Sequence, residues 1–408
     1  MTHELMPDRM TPQFVLGRPA AYALVGYAVL ILFVGTTIPT PLYRVYQAEL
    51  GFSSGVLTLL FSVYVFTLLP VLLVIGRVSD RIGRRPVLLA GLVLATLATA
   101  LFAAGHGLVA LFVARVLQGG ATGLITSTAT ATLAELHPRG DRARAAYVAS
   151  MANVLGGALG PLLAGMLAQY LPWPTTLSYL AYLLLLLPTI GLAAMPETVP
   201  ARRKLAFEMP RLSLPPAIRH EFWLAASAAF IVWAATALFL TLAPSYMAML
   251  LHLDNLAVGG GIVFLMLGGS ALAQTLWRRL PPRLAMRAGL GVLIPGLAGI
   301  VLAVPLGSAA LLFVATLIAG LGQGLAFMGS LAELNRIAPE QRRGDVTASY
   351  YVVTYVGVAL PVIGVGFGAQ AVGLFAAVAV FAALLGAGAL ALTMMIPSHT
   401  GRRHDRMA

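Results

Sequence analysis

The sequence contains no cysteine and unusually few charged residues. Neither a disulfide framework nor a cysteine-ligated metal site is therefore available. Only 10% of the 408 residues are charged, whereas 59% are hydrophobic. Soluble domains carry about a quarter charged residues, because polar side chains must cover a water-exposed surface. The composition thus excludes an ordinary soluble domain.

No polar block long enough to form a soluble domain interrupts the apolar runs either. Runs of about 20 apolar residues, the length at which a helix crosses a bilayer, recur along the whole chain. The first run is too long for a signal-peptide core and lacks a clear cleavage site, so we expect a retained helix. The predicted spans 1 to 12 cover residues 22–43, 54–76, 87–104, 108–134, 145–170, 175–195, 222–250, 257–277, 286–304, 308–337, 346–370 and 374–396.

Lysine and arginine are concentrated in alternate loops between these spans. With the N-terminus inside, 24 of the 26 basic residues fall on the inner side; the exceptions are Arg44, outside, and Arg115, within span 4. Cytoplasmic loops of membrane proteins carry such an excess. The distribution predicts an inner-membrane protein with both termini in the cytoplasm. The net charge of +12 therefore indicates loop topology and not a nucleic-acid-binding surface.

The chain divides into two similar halves. The longest polar interval, 196–220, separates six spans from six. The tetrapeptide LAEL ends span 4 and recurs in span 10, each time followed by a proline and an Arg-Gly-Asp loop. Such repeats are expected of parallel transporter halves. We predict an all-α membrane protein with two six-helix bundles, divided into a tail (1–21), a first bundle (22–195), a linker (196–221), a second bundle (222–396) and a tail (397–408).

The segment GRVSDRIGRR, residues 76–85, lies between spans 2 and 3. It resembles the loop motif of the major facilitator superfamily, G-x-x-x-D-R-x-G-R-R, at every defining position. A positive loop with turn glycines is the plainer interpretation of its charges. The resemblance implies a twelve-helix transporter and a role in conformational change for this loop, with Asp80 near the start of span 11. The motif residues are Gly76, Asp80, Arg81, Gly83, Arg84 and Arg85.

Two features of span 4 add to this resemblance. Arg115 and Gln118 fit the family's second motif, R-x-x-Q-G, and place a costly guanidinium inside the membrane. Arg115 could bind backbone carbonyls of neighbouring helices, or it could act in substrate or proton coupling. Glu135, at the inner end of the span, is predicted to pair with Arg84 or Arg85 as a charge latch; a solvated helix end is the alternative.

Span 5 contains GGALGPLLAG, residues 156–165. It resembles the antiporter motif G-x-x-x-G-P-x-x-G-G of the superfamily, except at Ala164. Its small residues would let the helix approach a neighbour closely, and Pro161 would bend it. The resemblance to the antiporter motif, carried by Gly156, Gly160, Pro161 and Gly165, favours export.

All fourteen acidic residues lie in tails, loops or span ends, so none is predicted near the midplane. This departs from multidrug antiporters that carry a carboxylate in the first helix, and it argues against a cationic-drug site. The cavity expected between the halves would be neutral and aromatic, although each aromatic residue could also serve packing. The predicted lining is Tyr27, Thr37, Tyr64, Gln118, Asn153, Trp233, Gln323, Phe327, Tyr351 and Tyr355.

The sequence contains no motif of an ATP-driven pump or of an intramembrane enzyme. The only lysine, Lys204, is not in a phosphate-binding loop, and neither H-E-x-x-H nor G-x-S-x-G occurs. We therefore predict a non-enzymatic monomer in the lipid bilayer, with no cofactor or metal, that exports small amphipathic molecules in exchange for protons. The alternative left open is a proton-coupled importer of a small organic anion that uses Arg115 as counter-charge.

Overall fold

A computed structural model describes residues 15–105, 107–199, 214–252 and 254–397. In these residues there is no strand, and twelve helical segments are long and apolar enough to cross a membrane. The predicted all-α membrane fold is therefore confirmed. Both predicted tails lie largely outside the described residues, as does most of the linker.

The helices begin and end at the following residues. In the first half they are Arg18–Thr37 and Pro39–Leu50 (span 1), Ser54–Ile82 (span 2), Arg84–Ala104 (span 3), Leu108–Leu136 (span 4), Arg142–Tyr170 (span 5) and Pro174–Leu186 with the 3-10 helix Leu187–Ala194 (span 6). In the second half they are Arg219–Thr241 and Ala243–Leu251 (span 7), Leu256–Leu276 (span 8), Pro282–Ala303 (span 9), Ala309–Ile337 (span 10), Arg343–Val372 (span 11) and Leu374–Met395 (span 12).

Several helices extend beyond the predicted ends into the arginine-rich loops. Spans 3 and 9, the shortest in the prediction, begin at Arg84 and Pro282 and reach 21 and 22 residues. Hydropathy falls where the arginines begin, but the helices continue through these residues. For the same reason span 1 begins within the predicted tail, and span 7 begins before the predicted linker end.

Three spans are not single helices, which corrects the prediction. Span 1 breaks at Ile38 before Pro39, span 6 passes into a 3-10 helix at Leu187 before Pro188, and span 7 breaks at Leu242 before Pro244. Proline lacks the N–H that an α-helix needs and its ring crowds the preceding turn. Each break therefore lies one or two residues before a proline.

The two halves repeat one packing scheme. Span 1 packs on span 5, span 2 on span 4, and span 3 on spans 4 and 6; in the second half, span 7 packs on span 11, span 8 on span 10, and span 9 on spans 10 and 12. Each half buries its own hydrophobic core. Contacts between the halves run through the pairs span 2 with span 11 and span 5 with span 8. The six spans of each half thus pack together around one core.

The molecule has two ends of different charge. We call the end that carries the arginines of the loops after spans 2, 4, 8 and 10 the basic end. At the opposite end, Arg44 of the first half pairs with Asp254 of the second at 2.8 Å. There the Gln169 side chain also accepts a hydrogen bond from the backbone N–H of Leu256 at 2.7 Å. These contacts join the halves at the opposite end.

Candidate functional site

A cavity lies between the two halves, near the middle of the spans. Its empty volume is about 1000 Å³, counted with its open mouth. Eight of the ten predicted residues line it. They are Thr37, Tyr64, Asn153, Trp233, Gln323, Phe327, Tyr351 and Tyr355.

Gln118 and Tyr27 do not line the cavity, so the assignment of both residues to it is corrected. Tyr27 lies elsewhere. Its hydroxyl donates to the carbonyl of Leu185 in span 6 at 2.8 Å. It lines a separate groove between spans 1 and 5 together with Tyr22 and Tyr147. Span 1 turns its successive faces to different neighbours, and hydropathy alone does not distinguish them.

Twelve further residues line the cavity that the sequence did not single out. They are Phe33, Thr36, Phe61, Val65, Thr126, Val154, Gly157, Leu240, Leu267, Ser270, Thr354 and Val358. The apolar ones resemble lipid-facing residues in composition, so no sequence signal marks them. The hydroxyl groups of Thr126 and Ser270 lie in mid-span, and that position was the available signal.

The chemistry of the cavity is neutral. None of the described residues that line it is charged. Three buried polar atoms in the lining have no hydrogen-bond partner among the described residues, namely Trp233 Nε1, Gln323 Oε1 and Thr126 Oγ1. Buried polar atoms are normally paired, because an unpaired one costs desolvation energy. The cavity therefore offers hydrogen bonds but no ionic contact.

Arg115 lies behind this lining and does not reach the cavity. It is fully buried and donates to the carbonyl of Thr36 at 3.0 Å, to Gln118 Oε1 at 2.5 Å and to the Tyr43 hydroxyl. Its guanidinium carbon also lies 5.8 Å from the ring centre of Tyr64, a cation–π distance. In the described chain Arg115 forms no ion pair. This geometry is that of the packing alternative, with carbonyl and aromatic groups as its partners.

The break in span 1 explains why Gln118 is placed beside Arg115. Pro39 has no N–H to donate to the carbonyl of Gly35 four residues earlier. The Gln118 side chain supplies that hydrogen bond, with Nε2 to the Gly35 oxygen at 2.9 Å. Arg115 and Gln118 thus stabilise the broken helix whose residues Thr36 and Thr37 line the cavity.

The glycine-rich segment of span 5 makes two close helix contacts. A Cβ added to Gly156 or Gly160 would clash with the backbone of span 1, at Leu30 and Val34. One added to Gly165 would lie 2.5 Å from the carbonyl oxygen of Leu256 in span 8. Pro161 lies within the helix between these contacts. The segment therefore packs against span 1 on one face and across the interface between the halves on the other.

The loop motif at the basic end forms a charged network around Arg84. Its guanidinium lies 2.6 Å from Asp80 Oδ1 and 2.9 Å from Glu135 Oε1, and it donates to Ser79 Oγ at 2.6 Å. Of the two arginines offered by the sequence, Glu135 therefore pairs with Arg84. The Thr198 hydroxyl donates to Glu135 as well, at 2.5 Å. This network joins spans 2, 3 and 4.

Glu197, just after span 6, caps the start of span 3. Its carboxylate accepts from the backbone N–H groups of Arg84 at 2.7 Å and Arg85 at 3.0 Å. A carboxylate here satisfies unpaired donors and meets the positive end of the helix dipole. The sequence prediction missed this contact, which joins residues 113 positions apart.

Gly83 makes room for that cap. Its φ is 102° and ψ 157°, a conformation open essentially to glycine alone. A Cβ there would lie 2.6 Å from Glu197 Oε2. The remaining motif residues Gly76 and Arg81 lie in the last turns of span 2. The contact expected between Asp80 and the start of span 11 stays a prediction.

The second half has a matching network that was also missed. Glu333 in span 10 is 2% exposed and pairs with Arg283 at 2.7 Å and with Arg336 at 2.6 Å. Arg283 stands at the start of span 9, as Arg84 does at the start of span 3. The LAEL repeat, which contains both Glu135 and Glu333, was the signal that could have identified it.

Comparisons with known proteins agree with this fold. The profile of the Major Facilitator Superfamily matches residues 24–362. The chain is 26% identical over 144 residues to the quinolone resistance protein NorA of Staphylococcus aureus, which is 35% of this chain and 37% of that protein. It is 32% identical over 156 residues to an uncharacterized MFS-type transporter of Mycobacterium tuberculosis, covering 38% of this chain and 23% of that protein. Both matches span far less than two thirds of the relative's length.

Two solved structures have the same fold. One is a bacterial homolog of the human lysosomal transporter Spinster, inward-facing and unoccupied, with a TM-score of 0.70 at 15% identity over 93% of this chain and 97% of that chain. The other is the human organic anion transporter MFSD10, with a TM-score of 0.66 at 18% identity over 92% of this chain and 99% of that chain. At such low identities these similarities show the fold alone.

Proposed function

Since the chain belongs to the Major Facilitator Superfamily, we propose that it exports small, neutral amphipathic organic molecules across the cell inner membrane. The proposed mechanism is alternating access driven by proton antiport, with a monomer as the working unit. The basic end then faces the cytoplasm, as the distribution of arginine indicates.

The neutral lining of the cavity carries this proposal. An organic cation or anion entering a membrane-buried cavity loses its hydration, and that cost needs a counter-charge. The lining residues supply none. Arg115, the counter-charge of the anion-import alternative, donates instead to the Thr36 carbonyl, the Gln118 side chain and the Tyr43 hydroxyl. A neutral amphipathic solute meets aromatic rings and unpaired polar atoms without this cost.

Two observations support the outward direction. The glycine-rich segment of span 5 resembles the antiporter motif and packs tightly on spans 1 and 8 through Gly156, Gly160 and Gly165. The partial similarity to a quinolone resistance protein also favours export of foreign or waste compounds.

We place proton coupling at the basic end, because no described residue in the cavity lining carries a carboxylate. Glu135 holds Arg84 between spans 3 and 4, and Asp80 contributes a second carboxylate to the same guanidinium. Protonation of Glu135 would remove its charge and weaken its hold on Arg84. In this proposal the proton releases the latch at the cytoplasmic side, and substrate binds separately near the midplane.

A tolerance assay tests this function. The protein is overexpressed in an efflux-deficient host and challenged with a panel of neutral, cationic and anionic compounds. We expect raised tolerance to neutral amphipathic compounds, lost with Trp233→Ala. The matched control is Trp223→Ala, since Trp223 is 53% exposed near the basic end of span 7. Growth that depends on an external organic anion, without any tolerance phenotype, would instead favour uptake.

A further inference from the structure

The unpaired polar atoms of the cavity form a donor and acceptor set. Trp233 Nε1 can only donate a hydrogen bond, Gln323 Oε1 can only accept one, and Thr126 Oγ1 can do either. All three atoms are buried, and their residues line the cavity. Gln323 as a whole is 1% exposed. A ligand that provides the complementary acceptor and donor would satisfy these atoms at once.

Close packing fixes the position of Gln323. It lies between Gly320 and Gly324 in the sequence of span 10. A Cβ on either glycine would clash with the backbone of span 8, at Met266 and Ser270 respectively. The backbones of spans 8 and 10 are thus in contact on both sides of Gln323. Its amide group is held on a rigid part of the helix pair, which suits a specific contact better than an adaptable one.

The indole of Trp233 is also held in place. Phe327, one turn after Gln323, packs edge-to-face on the Trp233 ring, with centroids 5.3 Å apart and an interplanar angle of 89°. Such arrangements are favourable for aromatic pairs. The donor from span 7 and the acceptor from span 10 are therefore both fixed within the second half. Thr126 adds a hydroxyl from the first half, on span 4.

The following inference rests on the proposed neutral-solute site. We propose that this cavity selects molecules that carry an adjacent carbonyl and N–H group, such as secondary amides and lactams. The carbonyl accepts from Trp233 Nε1 and the N–H donates to Gln323 Oε1. The apolar remainder of the molecule lies against the aromatic residues of the lining. The Thr126 hydroxyl gives the first half a contact with the same ligand, so that the ligand joins both halves.

Binding of two matched probes to the purified full-length protein tests this selection. Radiolabelled 3,4-dihydroquinolin-2(1H)-one, a lactam, has both groups, whereas its N-methyl derivative keeps the carbonyl in the same ring geometry and lacks the N–H. We expect the wild type to bind the secondary amide roughly three- to tenfold more tightly, the effect of one hydrogen bond. Gln323→Leu should abolish that preference while the N-methyl compound binds at least as well as before.

Trp233→Phe provides the second arm, because it keeps an aromatic ring and removes the N–H. Both probes carry the carbonyl, so both should bind roughly three- to tenfold more weakly, and the preference for the secondary amide should remain. A Gln323→Leu protein that keeps the full preference would overturn the assignment. So would a Trp233→Phe protein with unchanged affinity for both probes. Size-exclusion profiles check that each variant is folded.

Flux measurements separate failure of this inference from failure of the proposed function. If the wild type transports both lactam probes but binds them equally, selection by Gln323 is refuted and neutral-solute transport stands. If it transports neither probe nor any other neutral amphipathic compound, the proposed function itself is refuted.

Discussion

Replacement of Gly83 by alanine probes how the loop motif is held at the basic end. Gly83 precedes span 3 with φ 102° and ψ 157°. Alanine in this region costs about 1–3 kcal/mol of backbone strain. In addition, its Cβ would lie 2.6 Å from Glu197 Oε2, the carboxylate that accepts from Arg84 and Arg85. The substitution should therefore strain the backbone and displace the cap.

Gly373 provides the matched control that separates the two effects. It precedes span 12 with φ 85° and ψ 155°, and a Cβ there would meet nothing within 4 Å. Gly373→Ala should thus cost the backbone strain alone. Loss of a helix cap costs about 1 kcal/mol, with the helix-dipole interaction included at an exposed position. We expect Gly83→Ala to lower the free energy of unfolding by about 1 kcal/mol more than Gly373→Ala does.

Denaturant unfolding of the purified variants in detergent micelles measures this difference. A third variant, Glu197→Ala, removes the cap directly. If the extra cost of Gly83→Ala arises from displacing Glu197, the double variant should be less destabilised than the sum of the single effects. Equal destabilisation by Gly83→Ala and Gly373→Ala, or simple additivity with Glu197→Ala, would refute the role given to the cap.

Three further substitutions test other parts of the account. Glu135→Gln should lower export in inverted vesicles several-fold while membrane insertion and expression stay normal, because it weakens the hold on Arg84; unchanged export would refute the latch. Glu333→Gln should lower the unfolding free energy by about 1 kcal/mol, because Arg283 and Arg336 lose their carboxylate partner but are themselves partly exposed to solvent, and micelle unfolding with no loss would contradict this. Arg115→Lys should lower the free energy of unfolding by about 2–4 kcal/mol, since a lysine cannot reproduce the forked contacts. It should leave the binding of neutral probes intact. A loss of binding at unchanged stability would instead place Arg115 in the site.

Much of the fold follows from hydropathy and the positions of arginine. The twelve segments are present because each carries about 20 apolar residues that need a helix to satisfy their backbone in lipid. The breaks at Pro39 and Pro244 were not predicted, although proline signals them, because a run of apolar residues continues through both. Hydropathy measures solvent preference and is insensitive to such changes in helix direction.

The candidate site was less accessible to prediction. Polar and aromatic residues in mid-span identified most of its lining. Tyr27 was assigned wrongly, because hydropathy does not show which face of span 1 is turned toward Leu185. One partner of Arg115 is the backbone carbonyl of Thr36, a contact that the identity of the side chain at position 36 does not reveal. The cap by Glu197 joins distant residues, so only packing of the spans brings it to Arg84.

Flux through the purified protein in proteoliposomes tests the central claim most directly. An imposed pH gradient would be combined with neutral, cationic and anionic amphipathic probes of similar size. The account predicts proton-driven transport of the neutral probes, abolished by Trp233→Ala and retained in Trp223→Ala. Transport restricted to an anionic probe, or flux of neutral probes that persists in Trp233→Ala, would contradict it.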